Sequence, residues 1–485
     1  MERVLNKWGL KLIFAISLLF ITTSVNAASL KVGEKEFEDF LEAVDEANTS
    51  GNPIVLQNDY SYGASSEEEY ESDIDIEKKV SIDLNNFTFS IGKITNSSEL
   101  EIYNGILKAD YKSVLSNNVI TNEENATLTL RNVKTKLSNQ AKRLLNNEGI
   151  ATLNNVTLQS SSATNAVENS ATGTVTLENC IIELNYQIIM NSGKMTINGG
   201  TYKNTDGSTL IRNDGVMTIN DGTFETQDFT IGSVINLNAG STLEINNGNF
   251  KGVHGIISNC ISTNFTCSGT TKITINNATF NTTANLIETA LATTHNTEIT
   301  INDGNYTTTE DINVFSLSGN GVVTINLYGG TFNAPNASNI SGKTDTATAT
   351  FNIGKDDGTV NQIPNFNIQG GKIDVADETK FNFYDGVIRL KNKISKIDDK
   401  PDGYDVCYSE ENGYIRAELK TSCDTTVPDN PEEGNSEGDN SSLGEGEVEN
   451  PQTGSTVNWI ALSIFLVLTI ALLWIIRKKN VFHRL

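Results

Sequence analysis

One phrase recurs through the middle of this chain. It reads Lys194-Met-Thr-Ile-Asn-Gly-Gly-Thr-Tyr202, then Val216-Met-Thr-Ile-Asn-Asp-Gly-Thr-Phe224 and Thr242-Leu-Glu-Ile-Asn-Asn-Gly-Asn-Phe250. Lys272-Ile-Thr-Ile-Asn-Asn-Ala-Thr-Phe280 and Glu298-Ile-Thr-Ile-Asn-Asp-Gly-Asn-Tyr306 continue it, and Val322 to Phe332 is a copy with two extra residues. Shorter copies begin at Ala151 and Thr174, and the shared Ile or Leu recurs every 20 to 30 residues. A second phrase precedes many copies: Leu144-Leu-Asn-Asn, Ile188-Ile-Met-Asn, Leu210-Ile-Arg-Asn, Val234-Ile-Asn-Leu and Ile256-Ile-Ser-Asn. A period of this length means a solenoid or a propeller. Each unit alternates apolar and polar residues over short stretches punctuated by Asn-Gly or Asp-Gly, with no helical run, so leucine-rich and ankyrin repeats are excluded. A propeller blade needs about 40 residues. What remains is a parallel β-helix, all-β, one coil per unit, coils stacked at ~4.8 Å. Residues 74–390 would form ~13 coils and a rod ~60 Å long at that spacing.

Within each unit the period of two sends Met195 and Ile197, or Met217 and Ile219, inward and the intervening Thr outward. Asn198, Asn220, Asn246, Asn276 and Asn302 fall at matching turn positions, where amides can stack and left-handed backbone is tolerated. The usual crossover preference predicts right-handed coiling. The series Tyr202, Phe224, Phe250, Phe280, Tyr306 and Phe332 could be a sugar-stacking stripe. A buried ladder is favoured, because Phe dominates and no Trp joins it.

An open coil exposes strand edges, so both ends need caps. Phe37, Phe40, Leu41, Val44 and Ala47 predict an amphipathic helix over 36–47, followed by a strand at Pro53–Gln57. These fall in an N-terminal cap over 28–58, with the β-helix over 59–400. Tyr404 to Leu419 alternates around Glu411-Asn412-Gly413 and predicts a closing hairpin within 401–423.

The two ends of the chain read as addresses. Arg3, Lys7 and Lys11 precede the apolar run Leu12–Val25, and small residues at Val25 and Ala27 predict a signal peptide over 1–27, cut at Ala27-Ala28. Residues 424–449 carry nine acids and no base, a composition that stays extended and unfolded. Asn450-Pro451-Gln452-Thr453-Gly454 follows. An uncharged run over 459–476 is long enough to span a bilayer as a transmembrane helix, and a basic tail over 477–485 contains Arg477, Lys478, Lys479 and Arg484.

The order of pentapeptide, apolar span and basic tail resembles a Gram-positive cell-wall sorting signal of the LPXTG type, with Asn450 where the commonest form has Leu. That resemblance implies cleavage of Thr453–Gly454 by a sortase, reading Asn450, Pro451, Gln452, Thr453 and Gly454, and transfer of the Thr carboxylate to peptidoglycan. The repeats resemble the right-handed, pectate-lyase-like β-helix surface proteins of Firmicutes. This second resemblance implies an architecture rather than a ligand.

A net charge of −25 makes the chain a poor partner for nucleic acid, which is gripped mainly through Lys and Arg. Two enzyme patterns are known on β-helices. A lyase site needs an acidic calcium cluster beside an Arg or Lys base, and a polygalacturonase-like site needs clustered Asp with Gly-His-Gly and Arg-x-Lys. Neither is found, and no cofactor, metal or catalytic residue is assigned. His254 has no acidic neighbour in sequence, Asp356-Asp357-Gly358 looks like a turn, and Asp214, Asp221 and Asp303 each precede Gly. The run Glu67, Glu68, Glu69, Glu71, Asp73, Asp75 reads as a solvated loop, since it matches no calcium-loop pattern. Outside the cell Cys260–Cys267 and Cys407–Cys423 could pair, leaving Cys180 single.

These observations predict a secreted, wall-anchored, non-enzymatic surface protein whose β-helix serves adhesion to host or bacterial glycans or proteins. A wall-attached polysaccharide lyase or glycoside hydrolase is the alternative, and a stalk without a ligand is a third reading.

Overall fold

The computed structural model describes residues 29–423 apart from 63–72, 110–117, 138–142, 161–164, 228–231, 259–268, 290–295, 310–312, 319–320, 335–338, 345–347, 369–378, 391–392 and 395. They form a β-solenoid built on parallel strands. Each coil crosses three faces in turn. The first face is a 12-stranded parallel sheet from Ile74–Ile76 to Asn339–Thr344. The second runs from Val80–Asp83 to Lys380–Phe383 and the third from Thr88–Ile91 to Val387–Leu390, each strand in register with its equivalent one coil away. Several strands, including Thr174–Leu184, Lys194–Asn204 and Val216–Thr226, run through the corner between the second and third faces.

The repeat phrase supplies the second and third faces. Met195, Ile197, Met217 and Ile219 are buried, while Thr196 and Thr218 point outward between them. Strands in register place equivalent positions one above another, so several rows along the solenoid are columns of like residues. Tyr202, Phe224, Phe250, Phe280, Tyr306, Phe332 and Phe366 make one such column inside the third face. All are buried, and successive ring centroids lie 4.4 to 5.9 Å apart with nearly parallel planes. They belong to the core, where stacked offset rings add to the burial of their area.

The turn Asn residues also form a column. Asn220 donates to Asn198, Asn246 to Asn220, Asn276 to Asn246 and Asn302 to Asn276, at 2.6 to 2.8 Å. A second amide column lies inside the first face. Asn96, Asn122, Asn147, Asn169, Asn191 and Asn213 are fully buried or nearly so, each Nδ2 donating to the next Oδ1 at 2.7 or 2.8 Å. Ile76 and Leu237 occupy the equivalent positions at its two ends.

The N-terminal cap departs from the expected boundaries. Lys35–Phe37 is a strand, antiparallel to Leu30–Val32, and the helix α1 spans Phe40–Ser50 rather than 36–47. Asp39 sets its start, accepting from the backbone N–H groups of Leu41 and Glu42, and left-handed Gly51 ends it. Phe40, Ala43 and Ala47 face inward, with Phe40 stacked on Phe89 at 5.2 Å, while Leu41 lies half-exposed. Ile54–Leu56 joins this cap to the second face through Val80–Asp83. At the far end Asp405–Glu411 and Tyr414–Lys420 form an antiparallel hairpin turned by Asn412 and Gly413, both at positive φ. Its second strand closes the third face on Val387–Leu390. Among the described residues no helix is long and apolar enough to cross a membrane. The run 459–476, the tether 424–449 and the tail 477–485 lie outside the described residues.

Candidate functional site

The corner between the second and third faces keeps one length in most coils, five positions from Ile197 to Tyr202 and from Ile219 to Phe224 alike, so a departure there stands out. In the second coil described, five positions separate the inward residues Ile102 and Leu107, whereas seven separate their partners Ile82 and Phe89 in the first. The two extra residues are accommodated by Asn85 and Asn86, at φ 47° and 68°. Asn tolerates this left-handed backbone better than other side-chain-bearing residues. Asn104 and Asn132, at φ 60° and 56°, turn the same corner in the next two coils.

The outcome is an open polar groove of about 430 Å³, lined by Asp83, Asn85, Asn86, Asn104, Asn132 and Lys134 together with Gly105 and Ile106. Asp83 Oδ1 accepts from the Asn85 N–H at 2.9 Å and from Asn104 Nδ2 at 3.4 Å. Asn132 Nδ2 donates to Asn104 Oδ1 at 3.3 Å, and Asn155 Nδ2 to Asn132 Oδ1 at 3.1 Å, so the floor is a line of amides. In register with Asp83 come Tyr103 and then Arg131. The Arg131 guanidinium sits 4.6 Å from the Tyr103 ring centroid and 3.2 Å from Glu101, whose carboxylate also accepts from Ser81 at 3.4 Å. Burial, with the Asp83 and Glu101 carboxylates adding to it, pushes the Tyr103 phenol up against the opposing pull of Arg131. It therefore stays a hydrogen-bond donor at neutral pH rather than a base.

A second cavity of about 520 Å³, lined by Thr331, Asn333, Asn365, Arg389, Glu411, Asn412 and Tyr414, lies beside the closing hairpin. Its charges face one another. Arg389 donates to Glu411 at 3.0 Å and to Asn365 at 2.7 Å, and Arg416 donates to Glu411 at 3.3 Å and to Glu418 at 2.8 Å. These bonds tie the hairpin to the last coils, a structural task. The groove over the first coils instead offers amide, carboxylate and ammonium groups toward solvent, a set suited to hydroxyl-rich ligands.

Other residues singled out in the sequence fall as follows. Cys407 and Cys423 are joined in a disulfide, and Cys180 is a buried free thiol. His254 does have an acidic neighbour: Nδ1 lies 3.5 Å from Glu288 of the next coil, a proximity that register creates and sequence distance hides. Asp221 and Asp303 accept from the N–H of the following Gly, and Asp357 from that of Thr359, all turn contacts. Asp214 instead pairs with Arg212 at 2.9 Å. Asn450, Pro451, Gln452, Thr453, Gly454, the Ala27-Ala28 bond, the Cys260–Cys267 pair and Glu67 to Glu71 lie outside the described residues. Among the described residues no three or more His, Cys, Asp or Glu side chains gather as a metal site would require. The groove residues Asp83, Asn85, Asn86, Asn104, Asn132 and Lys134 were not marked in the sequence reading. The two-residue excess between Ile82 and Phe89 was their available signal. No family model, curated protein or solved structure matches the chain.

Proposed function

We propose that this is a secreted, non-catalytic interaction protein that a sortase attaches to peptidoglycan, and that its solenoid serves adhesion. The observation that carries the adhesive reading is the groove at Asp83, Asn86, Asn104, Asn132 and Lys134, an open polar surface held on rigid stacked strands. Repeats suit this use, because residues on the outside of a coil vary without disturbing the inward columns. The export and anchoring half rests on the sequence: the signal segment, the acidic tether, Asn450 to Gly454, a transmembrane helix at 459–476 and the basic tail. Coiling in the right-handed sense, the common sense for parallel crossovers, completes the reading.

The co-occurrence of Asp83 and Lys134 in one groove favours a second reading, a polysaccharide lyase or glycoside hydrolase on the same scaffold. One experiment separates the two. The full-length chain, purified in a mild detergent with calcium present, is offered plant, mucin and bacterial glycans, and retained binding and product release are recorded together. Saturable binding without turnover is expected. New reducing ends or unsaturated sugars would overturn the adhesive reading, and the absence of both signals would overturn a glycan ligand and leave protein ligands or a bare stalk. Anchoring is checked separately, by whether Thr453→Ala leaves the chain in the membrane fraction of a sortase-bearing host.

A further inference from the structure

The third face beside the groove carries positive charge on a chain whose overall balance is strongly negative, −25. Lys134 lines the groove, and Lys136, two positions on, projects from the same side of the strand Thr127–Lys136. Lys108 of the preceding coil is in register with Lys136. Lys108 has a partner of its own, whereas Lys134 and Lys136, on one side of one strand, stand ~7 Å apart along it, within reach of a single extended ligand. Neither Lys134 nor Lys136 has an ion-pair partner among the described residues. Farther along the same row the pattern changes: Glu183, Lys203, Glu225 and Lys251 alternate in register, and Glu225 is 3.8 Å from Lys203 and 3.1 Å from Lys251. Charge is compensated there, whereas Lys134 and Lys136 beside the groove are left uncompensated.

From this juxtaposition we infer that the groove takes an acidic glycan, its hydroxyls on the Asn and Asp side chains and its carboxylate or sulfate groups on Lys134 and Lys136. This inference rests on the adhesive reading above and narrows it to a ligand class. Ammonium groups bind such oxyanions through short charge-assisted hydrogen bonds. The Asp83 carboxylate, its Oδ1 bonded to Asn85 and Asn104, keeps its charge and is left to accept from ligand hydroxyls, so the acidic groups of the ligand fall on the lysine side. A hydroxyl-rich ligand also uses the amides, which a bare anion would not need.

The test uses the full-length chain in a mild detergent against immobilised hyaluronan, which carries carboxylates alone, chondroitin sulfate, which adds sulfates, and neutral dextran. Retention on one or both acidic polymers and none on dextran is expected, weakening as salt is raised. Retention on hyaluronan identifies the carboxylate as sufficient, and retention on chondroitin sulfate alone identifies the sulfate. Lys134→Gln combined with Lys136→Gln weakens binding about tenfold or more, whereas Lys251→Gln leaves it unchanged. Unaltered circular dichroism excludes misfolding as the cause. Equal retention on dextran, or indifference to the double substitution, overturns the acidic-glycan inference and leaves adhesion standing. Silence on all three polymers overturns it too, and silence across the wider glycan panel removes glycan adhesion with it.

Discussion

Asn147 Nδ2 donates to Asn169 Oδ1 at 2.8 Å from one coil to the next, and both side chains are fully buried. Each amide in this column also serves backbone. Asn169 Nδ2 reaches the Gly173 and Lys194 carbonyls at 3.1 Å and Asn191 Oδ1 at 2.8 Å. A polar side chain inside an apolar coil is tolerable only because every neighbour supplies the partner it needs.

Asn169→Ala therefore removes more than one bond. It leaves Asn191 without its incoming donor and strips the side-chain partner from two carbonyls, a loss of about 3 kcal/mol or more for several unsatisfied buried groups. Asn220→Ala in the outer column, where water can replace the amide, costs less than about 1 kcal/mol. Chemical denaturation of the two variants checks this. Equal losses would show that burial does not distinguish the two columns.

Glycine stands two residues before five of the rings, Tyr202, Phe224, Phe250, Tyr306 and Phe332, while Ala278 precedes Phe280 and Pro364 precedes Phe366. Gly248 has φ +136°, and a Cβ there would lie 3.0 Å from a Phe250 ring carbon and 3.2 Å from the Gly222 carbonyl oxygen. Gly248→Ala thus adds backbone strain to a clash with the ring, together about 2 kcal/mol or more. Phe250→Ala costs about 3–5 kcal/mol through the cavity it opens between Phe224 and Phe280. Because ring and glycine share one space, the double variant is less destabilised than the sum. Denaturant midpoints of the two singles and the double test the coupling.

These two columns show what a one-dimensional reading can reach. Residues within one coil obey the period of two, so Ile197, Ile219 and the burial of Phe224 and Phe250 followed from the repeat. The outer amides followed as well, because Asn198 to Asn302 sit in the phrase that defines it. The inner column was written in the second phrase, ending in Asn147, Asn191 and Asn213. Its direction is a property of the first face, which the phrase alone does not orient. Contacts between coils were harder to read. His254 meets Glu288 from 34 positions away because register varies with loop length. The groove arises from two residues inserted at one corner, a departure from the repeat rather than an instance of it.

At the C-terminal cap the charges set a pH dependence. Hydrogen bonding from Arg389 holds the Glu411 carboxyl below its ordinary range. Burial pushes Glu418 up, but donation from Lys420 and Arg416 outweighs it, so this carboxyl too lies low. A carboxyl depressed in the folded state adds stability that is complete above its unfolded value near 4.5 and is lost as pH falls through the lower folded value. The hairpin Asp405–Lys420 should therefore loosen first on acidification below about pH 4.5. Arg416→Gln should bring that loosening to higher pH. Hydrogen exchange of hairpin amides across an acid series reads both, and an unchanged onset in Arg416→Gln would contradict the assignment.

Cys180 gives a probe of the coil interior. Its thiol is fully buried on the strand Thr174–Leu184, and burial pushes its pKa up to about 11. Its sulfur lies 3.3 Å from the Leu153 carbonyl oxygen, within hydrogen-bond reach. Alkylation requires thiolate and access together, and at pH 8 the folded coil supplies neither. Iodoacetamide should leave Cys180 intact in the native chain and modify it fully in denaturant, with an intermediate rate that reports opening of this coil. Asn169→Ala, at the end of the immediately preceding strand Val167–Asn169 on the first face, should raise that rate. If Cys180 reacts in the native chain as fast as a free thiol, the strand Thr174–Leu184 is not a closed element of the coil.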